Sequence, residues 1–472
     1  MQAAVSDEQS TYTVLVTGAN SGLGYATCCR LMTEFLKTRP QCQTLHLIVT
    51  TRDQRKADDT LRRLREHVQT VLRDANSRLT GISALLEPRI QLSSELLDLC
   101  SLVSVKRLSQ RLIKRGKDID VLILNAGIGG WSGMNWPRAI WSIITDWREA
   151  TTYPTYKLGY TGRVSAQQQQ TVAVTGDDAS ENNTPVLGET FAANVFGHYI
   201  LAHELVPLMT RTRAESMQTD EDAQHARIIW VSSLEAYAHA FSPDDLQSLR
   251  TSESYESTKR LTDLLVLTSE LPSTHASTST YLSPSAPTPN NTPITPAALP
   301  PKMYLSHPGI CGTSIAALNP LLEFFRQFSF YISRLLGSPW HTIHAYLGAC
   351  APVWLALTDQ RDLDVYEAQG RKKGKWGSSA DMLGKERVVL TEVEGWGWRG
   401  QVGERADGGL KLRKQKARWR GMGDVTMEQR EDFEVLGASV WREMEELRAE
   451  WEGRLEGVAG LLGDGGEEGQ HI

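Results

Sequence analysis

Through most of its length the chain alternates short runs of consecutive apolar residues with longer stretches in which apolar positions recur at helical spacing. TYTVLV opens the pattern at Thr11, breaks at glycines and passes into a helical repeat, which predicts strand, tight turn and helix. TLHLIVTT predicts a second strand, LLDLC the end of a third, and DIDVLILNAG a fourth that stops at a glycine. ETFAANVFGHYILAHELVPLM is apolar on most sides, as a largely buried helix would be. RIIWVSS predicts a fifth strand, a helix follows from Ser254, and KMYLSHPG predicts a sixth. Runs this apolar suit strands covered on both faces, and their alternation with helices predicts an α/β fold. The expected architecture is a Rossmann-type, doubly wound parallel sheet.

Two segments interrupt the rhythm. Residues 271–300 hold no Asp, Glu, Lys or Arg and are dominated by Ser, Thr and Pro; residues 160–188 are similar and carry a run of four glutamines. Such composition buries too little apolar surface to order itself, so both read as disordered surface insertions. From about residue 360 charged sequence takes over. The expected organisation is therefore one nucleotide-binding and catalytic domain over 11–358, with insertions at about 148–188 and 271–300, and a charged helical extension over 359–472. Within that extension, residues 426–455 predict one exposed amphipathic helix. Between Arg334 and Asp359 no residue carries a formal charge, a length sufficient by count to cross a bilayer. Gly337, Pro339 and Pro352 interrupt it, which favours a buried helix and an apolar lip over a membrane span.

A formal net charge of −6 over 472 residues argues against a general nucleic-acid binder. The six cysteines show no CxxC or regular spacing, and the polar start MQAAVSDEQS does not read as a signal peptide. They are read as reduced thiols in a cytosol-facing protein, with no metal site expected.

Two stretches bear chemistry. In SYESTKRL, Tyr255 stands four residues ahead of Lys259, so a helix places phenol and ammonium on one face. A nearby cation favours phenolate and tunes a tyrosine for proton transfer. One other of the 13 tyrosines has a lysine at this spacing, Tyr153 before Lys157, but Pro154 and Gly159 argue against a continuous helix there. The second stretch, Thr17-Gly18-Ala19-Asn20-Ser21-Gly22-Leu23-Gly24, joins the first strand to the first helix. Glycines there allow a tight turn and close backbone approach, and the helix start offers free N–H groups to a phosphate. After the second strand, an acidic residue would select NADH and an arginine NADPH. Thr51 occupies the acid's place and Arg52 follows, so NADPH is the expected cofactor; Asp53 would serve NADH if the register shifted.

The spacing TGxxxGxG, with Asn125-Ala126-Gly127 ending the fourth strand, Asn194 in the next helix, Ser232-Ser233, Tyr255-x-x-x-Lys259 and His307-Pro308-Gly309, resembles the short-chain dehydrogenase/reductase family. The resemblance implies that Tyr255 protonates the substrate oxygen and that Lys259 lowers the tyrosine pKa and binds the nicotinamide ribose. Ser233, or alternatively Ser232, would hold the carbonyl; strand alternation lets only one of them do so. Asn194 would anchor a water chain to Lys259, or serve as a buried amide pairing with backbone. Gly18, Asn20, Ser21, Gly22, Leu23 and Gly24 would cradle the phosphates, and Asp98 and Leu99 would border the adenine. Asn125, Ala126 and Gly127, with the turn from Pro308 through Gly309 to Thr313, would hold ribose and carboxamide.

The long gap from Ser233 to Tyr255, LNAGI followed by Trp131, and TEVEGWGWRG at 391–400 are most similar to fungal 3-keto-steroid reductases of ergosterol synthesis. That implies an NADPH-dependent oxidoreductase that reduces the 3-ketone of sterol intermediates during C-4 demethylation. Reduction of another lipophilic ketone or aldehyde, or a non-catalytic cofactor-binding scaffold for sterol enzymes, stand as alternatives. The implied partners are the sterol ketone, other C-4 demethylation enzymes, a second copy through the helices carrying Asn194 and Tyr255, and a membrane met peripherally. The implied location is the cytosolic surface of the endoplasmic reticulum or a lipid droplet.

Overall fold

A computed structural model describes residues 10–166, 186–212, 225–283, 298–312, 320–367, 372–402 and 417–459. In chain order its main elements are β1 (Ser10–Val16), α1 (Gly22–Thr38), β2 (Gln43–Thr51), α2 (Gln54–Arg78), β3 (Ile90–Leu96), α3 (Leu102–Arg115) and β4 (Val121–Leu124). A small ribbon and two short helices follow: β5 (Trp131–Met134), α4 (Trp136–Thr145), α5 (Trp147–Thr152) and β6 (Lys157–Gly159). Then come α6 (Gly197–Met209), β7 (Arg227–Val231), α7 (Ser254–Thr268), β8 (Lys302–His307), α8 (Pro320–Leu335) and α9 (Cys350–Leu357). The last elements are β9 (Lys375–Ala380), β10 (Glu386–Thr391) and α10 (Met427–Ala459).

The eight-stranded sheet has the order β10-β9-β8-β7-β4-β1-β2-β3, parallel except for the β9–β10 pair. Strand order reverses between β1 and β4, the crevice where ligands bind in doubly wound sheets. The apolar strands alternate between two cores. Leu122, Leu124, Ile228 and Trp230 join the core under α3, α6, α7 and α10, whereas Val121, Ile123, Ile229 and Val231 face α1, α2 and α9. Period-two alternation is thus present within uniformly apolar runs because both faces are dry.

Three sequence expectations change here. The sheet continues past residue 358, because Lys375, Trp376 and Gly377 pair in parallel with Leu305, Ser306 and His307. Helix α10 is not simply exposed: Phe433, Val440, Met444, Trp451 and Leu455 form a helical stripe that, with Trp441, is buried in the first core. It lies on α7 and on Tyr199 of α6, the helices through which the family resemblance implies a dimer. And residues 271–283 are ordered, with a helix at His275–Tyr281 fixed by Tyr281, which is buried and stacked on Tyr199 at 4.1 Å. One large aromatic anchor supplies what the Ser/Thr composition lacks. Residues 284–297 lie outside the described residues, as do 167–185 of the other insertion, whose start is ordered through α5 and β6.

Among the described residues no helix is long and apolar enough to cross a membrane. Helix α9 is buried, as expected of the fold's last helix. Helix α8 is inverted instead: Phe324, Phe328, Tyr331 and Leu335 form an exposed stripe while Ser333 and Arg334 are buried.

Candidate active site

The glycine loop is a cradle that only glycine permits. Gly18 has φ +67°, and a Cβ on it would meet Ala126 Cα at 2.9 Å; one on Gly24 would meet the Gly18 carbonyl oxygen at 2.3 Å. Thr17 ties the loop to the end of β4, its hydroxyl oxygen accepting from the backbone N–H groups of Asn125 (2.9 Å) and Ala126 (3.0 Å). Asn125 donates from Nδ2 to the Thr17 carbonyl at 3.0 Å, so its amide braces the loop from beneath. Ser21 precedes α1 without capping it, which leaves the first turn of the helix without a side-chain cap from that residue. Asn20 is held at its carbonyl by Arg63 (3.1 Å), and Leu23 packs partly buried against the second core.

At the far end of β2, Thr51 is buried and its hydroxyl donates to the Asp53 carbonyl at 2.9 Å. Asp53 accepts from the Lys56 N–H at 2.9 Å and so caps α2; backbone and side-chain bonds from Lys56 hold its pKa below the ordinary carboxylate value. Arg52 is exposed just beyond the strand. Asp98 accepts from the Cys100 N–H at 3.0 Å, and Leu99 is buried beside it. On the opposite side of the crevice, Gly309 has φ +70° and Pro308 accepts from the Thr342 hydroxyl at 3.0 Å. Thr313 lies outside the described residues.

The proton-transfer candidates converge at the end of β7. Tyr255 opens α7, partly exposed, with Trp131 against it (ring centroids 5.4 Å apart, planes at 60°). Lys259 follows one turn later, buried, its Nζ 5.6 Å from the Tyr255 ring centroid and donating to the Val231 carbonyl at 2.8 Å. Burial lowers the Lys259 pKa to about 8, against the pull of Asp263. The Tyr255 pKa, expected to be lowered by its lysine, is raised: burial outweighs other influences, Glu235 adds to it, and the nearby Ser233 side chain opposes it.

The two serines are separated by their partners. Ser233 faces Tyr255, and its hydroxyl oxygen accepts from the Glu235 N–H at 3.1 Å. Ser232 points the opposite way, donating to Asp263 at 2.5 Å. Asn194 sits in a π-helical turn, Ala192–Phe196, ahead of α6. Its amide oxygen accepts from the Ile128 N–H (2.8 Å), and its Nδ2 donates to the Ile128 carbonyl (3.0 Å) and the Thr258 hydroxyl (3.1 Å). The side chain therefore stitches the Gly127 segment to α7, and a Cβ on Gly127 would meet its Oδ1 at 2.8 Å. The other Tyr-Lys pair is dispersed: Tyr153 ends α5 and bonds the Ala417 carbonyl, while Lys157 in β6 holds Glu235.

Several residues escaped sequence reasoning. Lys157 grips both oxygens of Glu235 (2.7 and 2.5 Å) and lies 4.3 Å over the Trp131 ring. Glu256 is buried, and its burial with the nearby Glu235 pushes its pKa to about 8. His198 lies 2.9 Å from the Thr17 hydroxyl, kept neutral by burial that lowers its pKa to about 3. Asp263, four residues after Lys259 on the same helix face, carried a legible signal; its partner Lys375 carried none.

No family model matches the chain. A 3-keto-steroid reductase of Aspergillus fumigatus is 45% identical, covering 94% of this chain and 94% of its own length. One from Gibberella zeae is 36% identical with the same coverage of both. One from Schizosaccharomyces pombe is 31% identical over 80% of this chain and 90% of its own length. A solved 7α-hydroxysteroid dehydrogenase complexed with NADH and a 7-oxo bile acid overlaps at 14% identity and TM-score 0.37, covering 75% of this chain and 91% of that one.

Proposed function

The chain belongs to the 3-keto-steroid reductases of fungi, and on that premise we propose that it reduces the 3-ketone of sterol intermediates to the 3-hydroxyl, with NADPH, during C-4 demethylation in ergosterol synthesis. The observation that carries this reading is Lys259 one turn after Tyr255, buried with its Nζ 5.6 Å from the Tyr255 ring centroid and bonded to the Val231 carbonyl, at the end of the strand that delivers Ser233.

When bound, NADPH supplies the hydride. Gly18 and Gly24 let the loop close tightly on Ala126 and on itself, where a Cβ would strike protein atoms, so that its backbone beside the start of α1 can approach the phosphates. Arg52 is the residue for the 2′-phosphate, since the Asp53 carboxylate is spent on α2 and unavailable to a ribose hydroxyl. Leu99 and Asp98 border the adenine side; the Asn125 to Gly127 segment and the Pro308–Gly309 turn border the nicotinamide side.

Ser233 donates to the substrate carbonyl, and Tyr255 delivers the proton as negative charge develops on that oxygen. A raised tyrosine pKa suits this direction: the phenol stays protonated at rest, and an alkoxide is basic enough to take its proton. Lys259, positively charged below its pKa of about 8, offsets the phenolate left behind. Asn194 acts by fixing the Gly127 segment against α7, the positional role its three bonds describe.

A sterol ketone resides in membranes. The outward stripe of α8 and the exposed Trp136, Ile140, Trp141 and Ile144 of α4 offer an apolar surface for peripheral contact with endoplasmic reticulum or lipid droplet. The two regions are joined, since the Trp147 indole N–H donates to the Ser329 carbonyl at 3.3 Å. Other C-4 demethylation enzymes would meet the protein on that membrane.

The test is NADPH oxidation by purified protein with a sterol 3-ketone, beside a panel of aldehydes and bile-acid ketones. Turnover of the sterol ketone to its 3-hydroxyl is expected. Preference for an aldehyde, or NADPH binding without turnover of any carbonyl, would overturn the assignment.

A further inference from the structure

The Asp263–Lys375 ion pair is almost wholly buried, at 1% and 3% side-chain exposure, with Oδ2 and Nζ 2.5 Å apart. Burying two charges costs several kcal/mol per ion before their attraction is counted, and an apolar pair of similar volume is commonly as stable. Stability alone is therefore a weak reason for this pair.

Its remaining bonds all point to one place. Asp263 Oδ1 accepts from the Ser232 hydroxyl at 2.5 Å, and Lys375 Nζ donates to the Ser233 carbonyl at 2.6 Å. With Lys259 on the Val231 carbonyl, three consecutive residues are each held by a different charged side chain. The sheet itself releases the strand here. Ser232 N–H donates to the Ser306 carbonyl at 2.7 Å, and the β7–β8 pairing ends at Val231 opposite Ser306. Beyond that point the backbone needs another anchor, which Lys375 provides from β9, itself in register with β8 through Leu305. Because Ser232 and Ser233 project to opposite faces, pinning the Ser232 hydroxyl inward fixes Ser233 outward, toward Tyr255.

We propose that Asp263 and Lys375 are positioning residues that fix the Ser233 hydroxyl against the substrate carbonyl, so that the segment after residue 358 is part of the active-site scaffold. This rests on the role assigned above to Ser233. Among the described residues neither side chain bonds the glycine loop, so NADPH affinity should change little when both charges are removed together and their opposed effects on Lys259 offset.

The experiment measures single-turnover NADPH oxidation, sterol-ketone KM and NADPH Kd for Asp263→Leu/Lys375→Met, Ser232→Ala and Ser233→Ala. The double variant removes both charges together and is expected to fold, bind NADPH within two-fold of wild type, and lose at least ten-fold in hydride rate with KM nearly unchanged. Ser232→Ala, which releases only one tether, is expected to lose about three- to ten-fold. A folded double variant with the wild-type hydride rate overturns the proposal, as does a parallel loss of NADPH affinity and rate. Should the double variant not fold, Ser232→Ala decides: a wild-type rate overturns the proposal, a reduced rate at constant KM supports it. If Ser233→Ala retains full rate, the reading of Ser233 fails and the proposal falls with it; a slow Ser233→Ala beside a fast double variant sinks the pair alone.

Discussion

Trp441 donates its indole N–H to the Leu265 carbonyl at 3.0 Å, tying the C-terminal helix α10 to the helix that carries Tyr255 and Lys259. Both partners are buried in the same apolar core, and Arg260 of α7 lies 4.8 Å over the Phe433 ring of α10. A chain cut before Met427 should therefore lose the enzyme, not merely an appendage. Trp441→Ala should destabilise the fold by about 3–5 kcal/mol, the usual cost of removing a buried tryptophan, and Trp441→Phe by less. Denaturant melts check this; a stability loss under 1 kcal/mol would mean that α10 is a dispensable cover.

Replacing the proton donor separates chemistry from binding. Tyr255→Phe should lower the hydride rate by about 10²–10⁴-fold while NADPH Kd stays near wild type. Stopped-flow absorbance and a fluorescence titration of NADPH distinguish the two. Loss of both together would point to a collapsed site.

Cofactor choice should rest on Arg52. Arg52→Ala would remove the charged hydrogen bond proposed to the 2′-phosphate and should weaken NADPH by roughly ten- to hundred-fold with little effect on NADH. The ratio of kcat/KM for the two cofactors reads this directly, and equal losses for both would place the 2′-phosphate elsewhere.

Two buried groups set opposite pH trends. Lys259 has a folded pKa of about 8, below its ordinary value, so its ammonium is lost as pH rises through 8 and kcat should decline above that point. Between that pH and the ordinary lysine pKa the unfolded chain holds the extra proton, so this group adds stability as pH rises. Glu256 behaves the other way. Its folded pKa of about 8 lies above the ordinary carboxylate value, so its contribution is full below that value and is lost as pH rises through 8. Glu256→Gln should therefore flatten the fall of Tm between about pH 5 and 8. A wild-type Tm rising across that range, or a variant with an unaltered slope, would contradict this.

The inverted face of α8 should hold the protein on lipid. Phe324→Asp/Phe328→Asp removes two large exposed aromatics, each worth about 1.5–3 kcal/mol when buried in an apolar layer. Its flotation with phosphatidylcholine vesicles should drop by more than ten-fold. Its kcat on detergent-solubilised sterol ketone should stay at the wild-type level. Unchanged flotation would move the membrane contact to another surface.

Local pattern carried much of this protein. Apolar runs with helical interludes determined the parallel sheet, since strands dry on both faces leave no other reading, and the glycines at 18 and 24 and the Tyr255–Lys259 spacing marked the crevice. Each is a contact between residues near in sequence or a steric rule for a single backbone position. What the sequence left open was decided by contacts between distant segments. Which serine faces Tyr255 followed from Asp263 taking the other one. The rise in the Tyr255 pKa followed from burial that no i, i+4 rule records. The fate of the charged tail followed from a lysine that reaches Ser233 and a tryptophan that reaches Leu265. Side-chain desolvation and the closing of a hydrogen bond depend on where a remote strand or helix packs, and only the tertiary structure fixes that.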